Sequence, residues 1–179
     1  MMRVLKSRRG VSPVIATVIL VATAITIAVA VAYWMGGITS QYTRFEKVEI
    51  ISVYCESKDG SGDHWNSTNS YWEITLNLRN TGTTEATIIG AFINGKAIAD
   101  YGTVKVPGGT DYLIVCEDES GSAVDFSQGE TVTIEPGSST ELTIKIVQHS
   151  KLTFTSGTTI ELALHSGAGN SYMKMVTLT

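Results

Sequence analysis

Few residues in this 179-residue chain have both the type and the spacing for chemistry. His64, His149 and His165 stand far apart, without the short spacings that bring imidazoles onto one metal ion. No Gly-x-Ser-x-Gly elbow, phosphate loop or dinucleotide fingerprint occurs. Asp59-Gly60-Ser61-Gly62-Asp63 alternates acids and glycines like the opening of a calcium loop. The sixth position is His64, where the loop needs Gly, and the twelfth is Ser70, where it needs a bidentate Glu, so a flexible turn is expected. Glu117-Asp118-Glu119, ahead of a Ser-Gly turn, reads as a solvated loop rather than a cation site. With no catalytic set singled out, neither an enzymatic activity nor a cofactor or bound metal is expected.

Two covalent features remain. Cys55 and Cys116 lie in separate predicted strands, and an exported chain with an even pair of cysteines is a candidate for a disulfide. Closing that loop of roughly 60 residues would contribute about 4 kcal/mol on the chain-entropy view. The alternative is two buried thiols in a sheet. Asn66-Ser67-Thr68 has the acceptor pattern for N-glycosylation and falls in a polar loop. No other Asn has Ser or Thr two residues on, although the many Ser and Thr could carry O-linked sugar.

The elements that hold these residues follow from how apolarity and charge are distributed. At 43% hydrophobic, 17% charged and net charge -4 the chain averages to one ordinary domain. The average hides an asymmetry, because no Lys, Arg, Asp, Glu or His occurs between Arg9 and Arg44. The first ten residues carry Arg3, Lys6, Arg8 and Arg9 and no acid. Without them nine basic residues face 17 acidic ones, a net charge of -8. Such a body repels nucleic acid, which needs clustered Lys and Arg, so no nucleic-acid partner is expected.

The 33 uncharged residues from Val11 to Thr43 exceed the roughly 20 needed to cross a bilayer. A secretory signal has an apolar core of only about 7–15 residues, so this segment reads as retained. Its basic flank belongs on the cytoplasmic side, which puts the rest of the chain outside the cell. A helix from Pro13 onward is expected, since Pro suits a first turn and lipid leaves a single segment no other way to satisfy its backbone. Gly36-Gly37 offers a weak point. Ile38, Tyr42 and Phe45 fall on one face of an amphipathic last stretch that would dock on the following domain. Pro13, Ala16, Ala22, Ala28 and Ala32, with Ala24, Ala30, Thr17, Thr23 and Thr26, place short side chains around the helix. Small residues allow close packing of helices, and the hydroxyls can bond to a neighbour or to their own backbone. Packing among copies and an ordinary lipid-facing anchor both fit.

From Glu46 the pattern changes to short runs rich in Val, Ile, Thr, Tyr and Leu between Gly, Asn, Asp and Ser clusters. Strands are expected over 47–56, 71–80, 87–93, 103–106, 112–116, 131–134, 139–147, 159–165 and 172–178. Trp72, Ile74, Leu76 and Leu78 alternate onto one face, as do Leu142, Ile144 and Ile146, so one face is buried and one wet. Asn94-Gly95 is a tight-hairpin signal. Three regions result: residues 1–10, a helix over 11–45, and a domain over 46–179. The expected fold class is α+β, a lollipop of one long hydrophobic amino-terminal helix and an antiparallel, immunoglobulin-like β-sandwich head.

Lys6-Ser7-Arg8-Arg9-Gly10-Val11-Ser12-Pro13-Val14-Ile15-Ala16-Thr17 resembles the start of an archaeal type IV prepilin, over about 40 residues of leader and apolar helix. The resemblance implies a class III signal peptide cut between Gly10 and Val11 by a membrane prepilin peptidase. The retained helix would anchor the subunit in the membrane before assembly and form the filament core afterwards. Ser12-Pro13-Val14-Ile15 is similar to adhesion-type archaeal pilins. Bacterial type IV pilins normally carry Glu at the fifth mature position, where this chain has Ile15, in keeping with the archaeal pattern. The partners the resemblance implies are identical subunits in a helical homopolymer, the peptidase, an assembly ATPase and a membrane platform protein, with the filament at the cell surface. Competing readings are a monomeric, membrane-anchored binding or adhesion protein and an exported hydrolase.

Overall fold

The computed structural model describes residues 12–59, 70–106, 109–149 and 151–179. Gly10, Val11 and Asn66, most of the Asp59–Asp63 loop, and His64 therefore lie outside the described residues. The chain divides into two compact units, the first ending at Thr43 and the second running Arg44–Thr179.

The first unit is one α-helix, α1 (Pro13–Tyr42), with Pro13 in its first turn. Thirty residues give a rod about 45 Å long. It passes through Gly36-Gly37 without interruption. It ends at Tyr42 instead of reaching Phe45, and the reason lies in the next unit. The Phe45 carbonyl accepts from the Thr83 amide at 2.9 Å, and the Phe45 amide donates to Thr83 Oγ1 at 3.1 Å. Backbone groups held that way are not free to continue a helix.

The second unit holds strands β1 (Val48–Lys58), β2 (Tyr71–Asn80), β3 (Ala86–Ile93), β4 (Lys96–Ala97), β5 (Thr103–Val106), β6 (Gly109–Tyr112), β7 (Ile114–Glu117), β8 (Val132–Ile134), β9 (Ser139–Val147), β10 (Thr159–Ser166) and β11 (Ser171–Thr177). One sheet has the order β1-β2-β9-β7 and the other β11-β10-β3-β4, with β8 also paired to β3. All named pairs are antiparallel. With β1, β2, β3, β4, β7, β9, β10 and β11 lettered A, B, C, C′, D, E, F and G, the sheets read A-B-E-D and G-F-C-C′. That is immunoglobulin-type connectivity. The fold class expected from the sequence, a long apolar helix followed by an antiparallel immunoglobulin-like sandwich, is what the chain adopts.

Alternation produces the core. Trp72, Ile74 and Leu76 stand opposite Ile146, Ile144 and Leu142 on the neighbouring strand. All six are 0–3% exposed and share one cluster with Ile88 and Ile93 of β3 and Ile160, Leu162 and Leu164 of β10. Each large side chain so enclosed is stabilised by about 1.5–3 kcal/mol relative to water.

The turns use the residues the sequence offers. Asn94 (φ 50°) and Gly95 (φ 76°) close the β3–β4 hairpin with two positive φ values, as a two-residue hairpin turn demands. At the end of β2, Asn80 is fully buried. Its Nδ2 donates to the carbonyls of Thr84 (2.7 Å) and Ile134 (2.8 Å), and its Oδ1 accepts from Gly82 N at 2.9 Å. A Cβ on Gly82 would sit 2.5 Å from the Phe45 carbonyl, so only Gly lets the segment leading into β1 lie against this corner. The expected strand over 112–116 is two strands. Leu113 breaks it, donating its amide to Gly102 O and accepting from Val147 N, where the chain passes from the β5–β6 ribbon into the first sheet.

Candidate functional site

The most unusual surface of the chain is α1. Ala16, Ala22, Ala28 and Ala32 are all exposed, and between Val14 and Val31 ten Val, Ile and Leu side chains are 49–69% exposed. No stripe of the helix is polar, so no face of it suits water. Covering those ten side chains is worth on the order of 15 kcal/mol at about 1.5 kcal/mol each. That matches the whole stability of an ordinary domain, so the helix requires an apolar surrounding.

The threonines do not spoil it. Thr17 Oγ1 donates to Val14 O at 2.8 Å, Thr23 to Ile19 O at 2.9 Å, Thr26 to Ala22 O at 2.8 Å and Thr39 to Met35 O at 2.9 Å. These four hydroxyls bond to the helix's own backbone. A hydroxyl satisfied this way makes no demand on lipid or on a neighbouring helix.

Length adds a second property. Pro13–Thr39 is long and apolar enough to cross a membrane. Twenty residues after Pro13, a rise of about 30 Å, stand Tyr33 and Trp34, 87% and 65% exposed. That rise equals the hydrocarbon thickness of a bilayer, and Tyr and Trp favour the boundary where it ends. This aromatic pair was legible in the sequence, as the first aromatics of the uncharged run, and periodicity alone did not single it out.

In the sandwich, an intrachain disulfide between Cys55 and Cys116 is corrected by the sheet order. Cys55 lies opposite Ile74, Ile74 opposite Ile144, and Ile144 opposite Cys116. The two cysteines thus occupy one row on the two outer strands, three strand spacings or roughly 14 Å apart. A disulfide needs Cα atoms within about 7 Å, and both residues are free thiols. Cys116 is fully buried, and burial, with Glu117 and Asp118 nearby, pushes its thiol up to about 12. It is a packing residue rather than a nucleophile.

The three adjacent acids have different partners, because the strand ends between the first and the second. Glu117 closes β7 and pairs with Lys145 Nζ at 2.9 Å, both side chains only 11–12% exposed. This covered pair was not anticipated, because it depends on β7 lying beside β9. Asp118 caps the turn that follows, its Oδ1 accepting from Ser120 N, Ser120 Oγ and Ser122 N, bonds that hold its carboxyl below the usual range. Glu119 accepts from Thr140 Oγ1 at 3.2 Å. His149 Nδ1 accepts from the Lys151 amide, whereas His165 stacks on Phe92. Among the described residues no group of three or more His, Cys, Asp or Glu could hold a metal ion.

No protein-family model and no curated protein matches the chain. Among solved structures it is similar to the Iho670 flagellar-like filament at 13% identity, over 94% of this chain and 99% of that one, with a TM-score of 0.36. It is similar also to the archaellum periplasmic stator protein FlaG from Sulfolobus acidocaldarius at 13% identity, over 74% and 100% of the two chains, with a TM-score of 0.36. A FixG-related protein from Vibrio parahaemolyticus matches at 10% identity, over 71% and 93%, with a TM-score of 0.38. At these values none of the three places the chain in a family.

Proposed function

We propose that this protein is the structural subunit of an archaeal type IV adhesive pilus. The observation that carries the reading is α1, a charge-free helix apolar on every side with its threonine hydroxyls satisfied internally. Such a helix is at home in lipid and equally in a bundle of its own copies, so one segment serves both states. A prepilin peptidase removes the basic leader between Gly10 and Val11. The mature helix stays in the cytoplasmic membrane until a platform protein, driven by a cytoplasmic ATPase, feeds it into the filament, where identical subunits replace lipid. Loss of Arg3, Lys6, Arg8 and Arg9 is the enabling step, because a cationic segment cannot follow the helix into an apolar bundle. The sandwich remains outside, with Asn66 as a glycan acceptor.

Substituting Gly10 with a bulky residue tests this reading. The expected result is an uncut precursor held in the membrane and cells without the filament; normal surface filaments from that variant overturn it. A permanently anchored, monomeric adhesion protein is the second reading. The placement of Tyr33-Trp34 about one bilayer thickness beyond Pro13 favours it, and for that protein the same substitution changes nothing.

A further inference from the structure

One end of the sandwich is open. β1 runs 11 residues from Val48, just after the chain enters the domain, to Lys58, a span of about 35 Å. Lys58 stands opposite Tyr71, and Tyr71 opposite Val147, so the segment that follows β9 lies at the end far from that entry. A cleft of about 400 Å³ opens there between Trp72 and residues 148–156, within the roughly 300–1,000 Å³ usual for small-molecule sites.

Its lining combines fixed apolar groups with polar ones. Leu152 and Phe154 are half-buried against the core. The Phe154 ring is steadied by Tyr101, 5.7 Å away between centroids. Tyr101 is held in turn by its hydroxyl, which donates to Ile93 O at 2.7 Å, and by Lys96 Nζ, 4.5 Å from its ring centre. Trp72 is buried, with its Nε1 donating to Thr179 O at 3.1 Å. His149 Nδ1 accepts from the Lys151 amide at 3.1 Å, so the ring hydrogen sits on Nε2, which is a donor. Gln148 Nε2 donates to Ser57 Oγ at 3.5 Å, and its Oε1 is an acceptor. Thr155 and Ser156 bring exposed hydroxyls. None of the described lining residues is an acid, a lysine or an arginine.

An ionic ligand finds no counter-charge in such a lining. The ligand that fits it is neutral, carries both donors and acceptors, and has an apolar face to lay on an aromatic ring. A pyranose has hydroxyls around its edge and C–H groups on its faces. We propose that this cleft binds a neutral sugar, with one C–H face against Phe154 and its hydroxyls bonded to Gln148 and His149. The C–H groups meet the negative face of the aromatic ring. The site goes beyond the filament reading and does not depend on it, since every lining residue belongs to the sandwich of one chain.

The test is saturation-transfer NMR on the full-length chain in a detergent without sugar groups. The probes are the methyl glycosides of glucose, mannose, galactose and N-acetylglucosamine, with cyclohexanol as an apolar comparison. The expected result is transfer to the ring protons of at least one glycoside. Its Kd is expected to weaken about fivefold or more with Phe154→Leu, which keeps an apolar side chain on the core, and equally with His149→Ala, at a half-exposed position. No transfer to any glycoside overturns the proposal. So does a Kd unchanged in either variant, which puts the sugar elsewhere. Cyclohexanol bound as tightly as the glycoside overturns it too, because the cleft is then merely apolar.

Discussion

At the residue scale the chain is specified by what its polar groups do when water is withdrawn. Thr26 satisfies its hydroxyl on Ala22 O, so Thr26→Val, of nearly equal shape, is expected to leave membrane insertion and filament yield unchanged. Thr26→Lys puts a charge at the middle of the helix and is expected to abolish filaments, as read by pelleting of sheared material; equal yields from both variants contradict an apolar packing role. Cys116 has its thiol pushed up to about 12 by burial, so it stays protonated and unreactive at pH 8. Mass spectrometry after brief iodoacetamide treatment of the folded protein is expected to find Cys116 unmodified, and modified only after denaturation. The sign of the pH effect follows. The unfolded thiol ionises near its ordinary 9.0 while the folded one does not, so stability from this site is whole below that value and declines as pH rises above it.

At the element scale, alternation and turn chemistry carried most of the fold. The clean period of two in 71–78 and 142–146 places Trp72, Ile74, Leu76, Leu142, Ile144 and Ile146 in the core, and Asn94-Gly95 makes its hairpin. Spatial order is different, because no local signal says that β9 inserts between β2 and β7. That one crossover separates Cys55 from Cys116 and brings Lys145 to Glu117. The split at Leu113 was hidden for the same reason: its partners, Gly102 and Val147, are set by the ribbon and sheet around it. Of the candidate site, the helix was legible because an uncharged run needs no tertiary information, whereas the Glu117–Lys145 pair exists only once strands are laid beside one another. Two substitutions weigh these elements in chemical denaturation. Ile144→Ala, at the centre of the packed rows, is expected to cost about 2–5 kcal/mol. Asn80→Ala leaves the Thr84 and Ile134 carbonyls without their donor and is expected to cost about 1–3 kcal/mol. A loss below half a kilocalorie, roughly the surface-substitution range, would contradict the role given to either residue.

At the scale of the whole molecule, two units with opposite solvent requirements share one chain. The sandwich buries its own apolar rows, while α1 leaves its Val, Ile and Leu side chains from Val14 to Val31 exposed and requires an apolar surrounding. On the pilus reading proposed above, the basic residues ahead of α1 would fix its orientation and, while they remain, keep it from leaving the membrane. The acidic remainder, at net charge -8 without them, suits a solvated exterior. The most direct measurement is mass analysis of the subunit in filaments sheared from the cell surface and identified by electron microscopy. The account predicts this chain in the filament with Val11 as its first residue. A chain that retains Arg3 to Gly10, recovered only as a monomer from the membrane, would contradict it.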